Sequence, residues 1–116
     1  MDLATAKARC EVLDKQIDKF AKSGESRGAA AQTALFLAVS TCNRAKLMIE
    51  SVEEDVNGFD NQPSKEELER AGFVQEAVIE AVKTSISEEL AYANECLELA
   101  QRRFDDAQSK SEAAAS

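Results

Sequence analysis

Apolar residues recur at alternating steps of three and four along much of the chain. The first such run is Leu3, Ala6, Cys10, Leu13, Ile17 and Phe20. The second run is Leu35, Ala38, Cys42, Ala45, Ile49, Val52 and Val56. Steps of three and four keep side chains on one face of an α-helix, the face along which helices pack in bundles and coiled coils. The pattern therefore predicts an all-α protein whose helices pack along apolar seams.

Turn and capping residues divide the chain into three predicted helices, at about residues 2–22, 29–56 and 65–107. Asp2 is a suitable N-cap for the first helix, and Gly24 suits the turn that follows it. The pair Asn57-Gly58 is a strong terminator for the second helix. Ser64 and Glu67 have the spacing of a capping box at the start of the third. No stop signal follows, so the third helix is predicted to be long.

The three helices predict a single domain. A chain of 116 residues has the length of one small domain. We therefore expect one helical domain over residues 1–108. Residues 109–116 are small and polar, and we expect them to form a flexible C-terminal tail.

The seams predict how the helices face one another in an antiparallel three-helix bundle with coiled-coil-like packing. In the first pair of helices, Leu13 is expected to face Cys42, and a register shifted by about one step fits nearly as well. In the second pair, Cys42 is expected to face Val78. In this register Leu90 already reaches Ala31, near the start of the second helix, and the rest of the third helix is left without a partner.

Two apolar surpluses are predicted at that end of the bundle. The start of the second helix is apolar around most of its circumference, which includes Phe36 and Leu37. The uncovered part of the third helix carries Leu97, Ala100 and Phe104. Exposed apolar patches mark protein interfaces more often than defects. We therefore expect these five residues to form an interface through which the chain forms a homo-oligomer.

Two other architectures are compatible with the pattern. The first two helices could be continuous through Gly24 and Gly28, which would give a long two-helix hairpin. Alternatively, the third helix could break at residues 83–85, where Ser85 and Glu88 have the spacing of a second capping box. That break would give four helices.

The charge of the chain limits its partners. The sequence has 22 acidic and 14 basic residues and a formal net charge of −8. This charge disfavours nucleic acid and anionic membrane surfaces and favours a basic protein partner. The most apolar stretch, residues 29–42, is too short to span a bilayer. With no signal segment recognisable at the start of the sequence, we expect a cytoplasmic protein.

Residues that could carry chemistry are scarce. The sequence has no histidine, and Cys10, Cys42 and Cys96 lack the spacing of a metal site. The thiols fall on or beside the apolar seams, so we interpret them as core residues. Adjacent carboxylates such as Glu66-Glu67 fall at polar positions and point in different directions, which does not favour acid–base catalysis. We therefore expect no enzyme activity, cofactor or metal.

The expected function is protein binding. The main hypothesis is a small acidic helical interaction module that self-associates and acts as an adaptor, a regulator or an assembly subunit. It predicts that Phe104→Asp disrupts the oligomer. The alternative is an acidic inhibitor or immunity-type protein that occludes a basic site on a target enzyme. It predicts salt-sensitive binding led by the acids of the third helix, namely Glu66, Glu67, Glu69, Glu76 and Glu80.

Overall fold

The computed structural model describes residues 2–115, so Met1 and Ser116 of the predicted domain and tail lie outside the described residues. The described residues form four helices: α1 Leu3–Lys22, α2 Ala29–Asp60, α3 Lys65–Arg70 and α4 Gln75–Ala115. The long helices α1, α2 and α4 pack into an elongated bundle that measures 68 × 20 × 17 Å. The predicted all-α class is confirmed.

Local capping signals act as their sequence predicts. The Asp2 carboxylate accepts a hydrogen bond from the Thr5 amide at 2.8 Å, and this bond lowers the pKa of Asp2. The Ser64 hydroxyl likewise accepts one from the Glu67 amide at 3.2 Å, at the start of α3. α1 ends at Lys22, so the continuous helix of the long hairpin does not form.

The predicted third helix is broken near its start. The amide of Phe73 donates to the carbonyl of Leu68 at 2.9 Å, and that of Gly72 donates to Glu69 at 3.1 Å. Gly72 has a φ of 90°, which glycine adopts without a side-chain penalty. This arrangement is a Schellman motif, and it separates α3 from α4. The prediction of an unbroken helix at 65–107 is therefore wrong, and so is a break at residues 83–85.

The second helix is longer than predicted. Asn57-Gly58 does not end α2, which continues to Asp60. The Asn61 side-chain and backbone amides both donate to the Asn57 carbonyl, at 2.8 and 3.2 Å. These bonds satisfy a carbonyl of the last turn and compensate for the unfavourable Gly58.

The predicted C-terminal tail is helical. α4 continues through residues 109–115, and Ser111 is buried. The Ser111 hydroxyl accepts a hydrogen bond from the Arg27 amide at 3.0 Å and donates one to the Glu25 carbonyl. A Cβ atom placed on Gly28 would lie 3.3 Å from that of Ala114. The small side chains that resemble a disordered tail instead let α4 approach the α1–α2 loop closely.

α2 and α4 are antiparallel in a different register from the predicted one. Arg103 donates a hydrogen bond to the Thr41 hydroxyl, and Ser51 donates one to the Glu89 carboxylate at 3.5 Å. Cys42 therefore lies near the level of Arg103 rather than opposite Val78. The shift amounts to about three heptads, and because a heptad shift superimposes one apolar seam position on another, the pattern alone does not distinguish the two registers.

The core fills the half of the bundle where α1 lies against α2 and α4. The rings of Phe20 and Phe104 meet edge to face, with centroids 5.6 Å apart and planes at 84°. Leu13 and Leu97 are fully buried in the same cluster. In α4, the buried residues begin at Ala93, and the preceding turns are only partly covered. The bundle is therefore well packed in one half and open in the other.

Candidate functional site

Three of the five predicted interface residues lie in the core. Leu97 and Ala100 have no exposed surface, and Phe104 is 4% exposed. The expectation that no element covers them is wrong, because the actual register brings this part of α4 against α1 and α2. These side chains stabilise the monomer and are not available to a partner on its surface.

The other two predicted interface residues lie at the surface. Phe36 is 68% exposed and Leu37 is 41% exposed. They are near the start of α2, on turns whose opposite side contributes Leu35 and Ala38 to the core. The structure therefore separates the five predicted residues into a buried set and an exposed pair.

An apolar residue that the sequence analysis did not select extends the exposed pair. Leu47 is 65% exposed and lies three helical turns after Phe36, on the same side of α2. Ser40 and Asn43 occupy the turns between them. We call the surface formed by Phe36, Ser40, Asn43 and Leu47 the α2 outer face. Leu47 was missed because it falls outside the three–four steps of the apolar seam.

Most of the α2 outer face lies in the longest uncharged stretch of the chain, and Leu47 lies just beyond that stretch. No charged residue occurs between Arg27 and Arg44, although charged residues make up 31% of the chain. Phe36 and Leu47 expose a phenyl ring and an isobutyl group on the same side of α2, and Arg44 and Lys46 are the charged residues of the helix between them.

Negative charge is concentrated at the other end of the bundle. Residues 50–90 contain twelve acidic and three basic residues, a net charge of −9, and the rest of the chain carries ten acidic and eleven basic residues, a net charge of +1. This segment includes the end of α2, all of α3 and the first part of α4. We call it the acidic end.

A groove of about 270 Å³ crosses the acidic end between α2 and α4. Its lining combines the apolar side chains of Phe59, Val78 and Val82 with the carboxylates of Glu54 and Asp55. The remaining lining residues are Gly58, Gln62 and Ser85. We call this feature the α2–α4 groove. None of its described lining residues is basic.

Two polar features at the groove are energetically unfavourable: a buried oxygen without a hydrogen-bond partner and a close pair of carboxyl groups. The side-chain oxygen of Gln62 is buried without a hydrogen-bond partner among the described residues. Asp55 lies close enough to Glu89 to raise the pKa of that carboxyl, mainly through a hydrogen bond between the two acids. A group that donates hydrogen bonds and carries positive charge would satisfy both features.

Ion pairs occur mainly away from the acidic end. Lys46 and Asp14 pair at 2.8 Å between α2 and α1, and the hydrogen bond that Lys46 donates to the Asp14 carboxylate raises the pKa of Lys46. Lys7 of α1 pairs with Glu53 of α2 at 3.3 Å. Among the described residues, Glu53 is the one acid of residues 50–90 with such a partner. The other acids of this segment can therefore receive an external cation.

The thiols lie where nucleophilic chemistry is disfavoured. Cys10, Cys42 and Cys96 are free and buried. Burial raises the pKa of the Cys10 thiol, and it raises the pKa of Cys42 to about 12. Because the thiolate is the reactive form, these two groups are poor nucleophiles at neutral pH. Among residues 2–115 there is no cluster of three or more candidate metal ligands.

In the part of the chain that the structure describes, every helix is too short or too polar to cross a bilayer. The chain matches no family model, and it has no match among curated proteins or solved structures.

Proposed function

We propose that this chain is a helical protein–protein interaction module that self-associates through the α2 outer face. The observation that carries the proposal is the pairing of Phe36 and Leu47, two strongly exposed apolar side chains on one side of α2. Of the predicted exposed pair, Phe36 belongs to this face, and Leu37 lies beside it on the same turn of α2. The proposal omits Leu97, Ala100 and Phe104 because they are buried within the monomer.

A second copy is a chemically suitable partner for this face. In an antiparallel arrangement of two α2 helices, Phe36 of each copy can pack beside Leu47 of the other, with Ser40 and Asn43 between them. Such an arrangement has twofold symmetry, the commonest symmetry of homo-oligomers. Ser40 and Asn43 at the centre let the two helix backbones approach, and the exposed Arg44 flanks the contact beside Leu47.

Light scattering coupled to size-exclusion chromatography tests the proposal. Wild-type protein should elute with twice the mass of the 12.6 kDa chain. Phe36→Asp and Leu47→Asp should each give a monomer, because either places a carboxylate at the centre of the apolar contact. Val12→Asp is the matched control, since Val12 is 57% exposed on α1, away from this face, and its variant should remain a dimer.

Two results would contradict the proposal. A monomeric wild type at concentrations up to about 1 mM would exclude an interface of biological strength. Equal dissociation by Val12→Asp and Phe36→Asp would show that added charge, rather than the α2 outer face, controls assembly. Phe104→Asp is not an informative variant, because a buried carboxylate at this core position would unfold the monomer.

The concentration of acids in residues 50–90 favours a second candidate, an acidic inhibitor or immunity-type protein. Glu66, Glu67, Glu69, Glu76 and Glu80 are exposed on α3 and the start of α4. Their carboxylates could cover a basic site on a target enzyme. Binding by such a surface weakens steeply with salt, whereas apolar self-association does not. Measuring both at low and high ionic strength therefore distinguishes the two functions.

A further inference from the structure

We propose that the α2–α4 groove is a docking site for a basic amphipathic helix of a partner protein. The proposal goes beyond self-association and is independent of it, because the groove lies at the acidic end and the α2 outer face lies in the other half of the bundle.

The shape of the site indicates an inserted apolar side chain. The groove has a volume of about 270 Å³, which accommodates one or two large side chains. Phe59, Val78 and Val82 supply apolar walls from both helices. Val78, Val82 and Phe59 are each only partly buried, so an incoming leucine or phenylalanine would remove further apolar surface from water.

The charge of the site indicates a basic partner. Glu54 and Asp55 line the groove, and Glu89 lies beside Asp55. They belong to a segment with a net charge of −9. An arginine of the partner can bridge the carboxylates of Asp55 and Glu89 and relieve the repulsion between them. An adjacent donor can also satisfy the buried oxygen of Gln62.

The surrounding architecture indicates that the incoming segment is a helix. The groove is formed by two antiparallel helices, and the bundle already contains a third helix, α1, that packs on the same pair in its other half. α1 combines an apolar seam with a flanking lysine, Lys7, that pairs with Glu53 of α2. A partner helix with the same combination of features can use the open half of the α2–α4 pair in an analogous way.

Peptide binding tests the proposal with defined probes. The first probe is an 18-residue fluorescein-labelled peptide with leucines at steps of three and four and with arginine or lysine at most other positions. A second peptide has the same composition in an order that abolishes the apolar stripe. A third keeps the stripe but replaces the basic residues with glutamate. Fluorescence anisotropy measures their affinity for the full chain.

The striped basic peptide should bind about tenfold or more tightly than the shuffled peptide, a difference of at least 1.4 kcal/mol. The acidic striped peptide should not bind. Equal affinities of the striped and shuffled basic peptides would overturn the proposal, because the acidic end would then attract positive charge without using the groove.

Variants locate the binding site. Asp55→Asn should weaken binding of the striped basic peptide several-fold by removing one carboxylate, whereas Glu98→Gln, an exposed acid of α4 outside the acidic end, should have little effect. Ser85→Trp should weaken binding by about tenfold, because Ser85 is exposed at the groove and an indole ring can fill it without disturbing a buried position. Val12→Trp is its matched control. The proposal would be overturned if Asp55→Asn and Glu98→Gln lost the same affinity for the peptide, and Ser85→Trp and Val12→Trp did so as well.

Val82→Asp separates a foreign partner from a second copy of this chain. Light scattering should give the same mass for this variant as for wild type, and circular dichroism should confirm that it is folded. A wild-type dimer that Val82→Asp dissociates, while Phe36→Asp leaves it intact, would show that the groove is occupied by another copy. That result would overturn both the proposed partner and the proposed self-association face, whereas loss of peptide binding alone bears on the groove only.

Discussion

At the scale of single residues, the thiol of Cys42 combines deep burial with a proton that it does not readily release. Burial is the main cause of a pKa of about 12 instead of the ordinary 9.0. The neighbours Cys10 and Asp14 raise this pKa further, whereas Lys46 lowers it. In the unfolded chain the thiol ionises near its ordinary value. Between these two pH values, unfolding therefore releases a proton, and the free energy of unfolding decreases as the pH rises.

This linkage gives a prediction for Cys42→Ala. Chemical denaturation should show that wild-type stability decreases more steeply than that of the variant as the pH rises above 9. Alanine does not titrate, so the difference between the two curves reports the contribution of the Cys42 thiol. The variant is also expected to be less stable at neutral pH because it leaves a small cavity. Parallel curves above pH 9 would contradict the assignment.

Residues whose effect is local were predictable from the sequence. Asp2 and Ser64 cap helices at the expected positions because a capping bond needs only an amide three residues away. Gly72 illustrates the limit. It forms no recognisable terminating pair in the sequence, and its role depends on a positive φ that the structure alone reveals. Single glycines inside a helical pattern are common enough that the break could not be inferred from Gly72 alone.

At the scale of elements, the end of α4 and the α1–α2 loop stabilise each other. Ser111 bonds to the backbone of Glu25 and Arg27, and Ala114 lies against Gly28. Composition predicted a frayed tail because it reports only that the side chains are small and polar. It does not report that a loop lies close enough to pack against them. The helix is ordered here by tertiary contacts rather than by its own propensity.

A pair of glycine variants tests this contact. Gly24 and Gly28 both have positive φ angles, 74° and 83°, so alanine at either position incurs a backbone penalty, and the ψ of 154° at Gly28 belongs to a region that almost only glycine adopts. A Cβ at Gly24 meets open space, whereas one at Gly28 approaches Ala114 closely. Thermal or chemical denaturation should therefore show a larger loss of stability for Gly28→Ala than for Gly24→Ala.

The double variant Gly28→Ala/Ala114→Gly is the control for this comparison. Removing the methyl group of Ala114 creates room for the new Cβ, so the double variant should lose less stability than the two single variants together. Equal costs for Gly28→Ala and Gly24→Ala, with no coupling to Ala114, would show that α4 does not pack closely against the loop.

At the scale of the whole molecule, the apolar seam predicted the class of fold but not the alignment of α2 with α4. The seam repeats every seven residues, so sliding α4 by whole heptads still places apolar residues opposite apolar residues. The actual alignment is accompanied by non-repeating contacts, such as Arg103 with Thr41 and Ser51 with Glu89. Because the pattern does not determine this alignment, it predicts an interface position for Phe104, which lies in the core. It also gives no indication of the α2–α4 groove.

This alignment divides the molecule into halves of unequal stability, and hydrogen exchange should reveal the difference. α4 contributes its buried residues from Ala93 onward, whereas its first turns and α3 combine partial burial with a net negative charge. Amides of residues 75–90 should therefore exchange about tenfold or more faster than those of residues 93–107. Added salt should slow exchange in the first segment more than in the second, because it screens repulsion among the carboxylates of the acidic end. Uniform protection along α4 would contradict this division. If the striped basic peptide completes the open half of the bundle, it should selectively protect residues 75–90 from exchange.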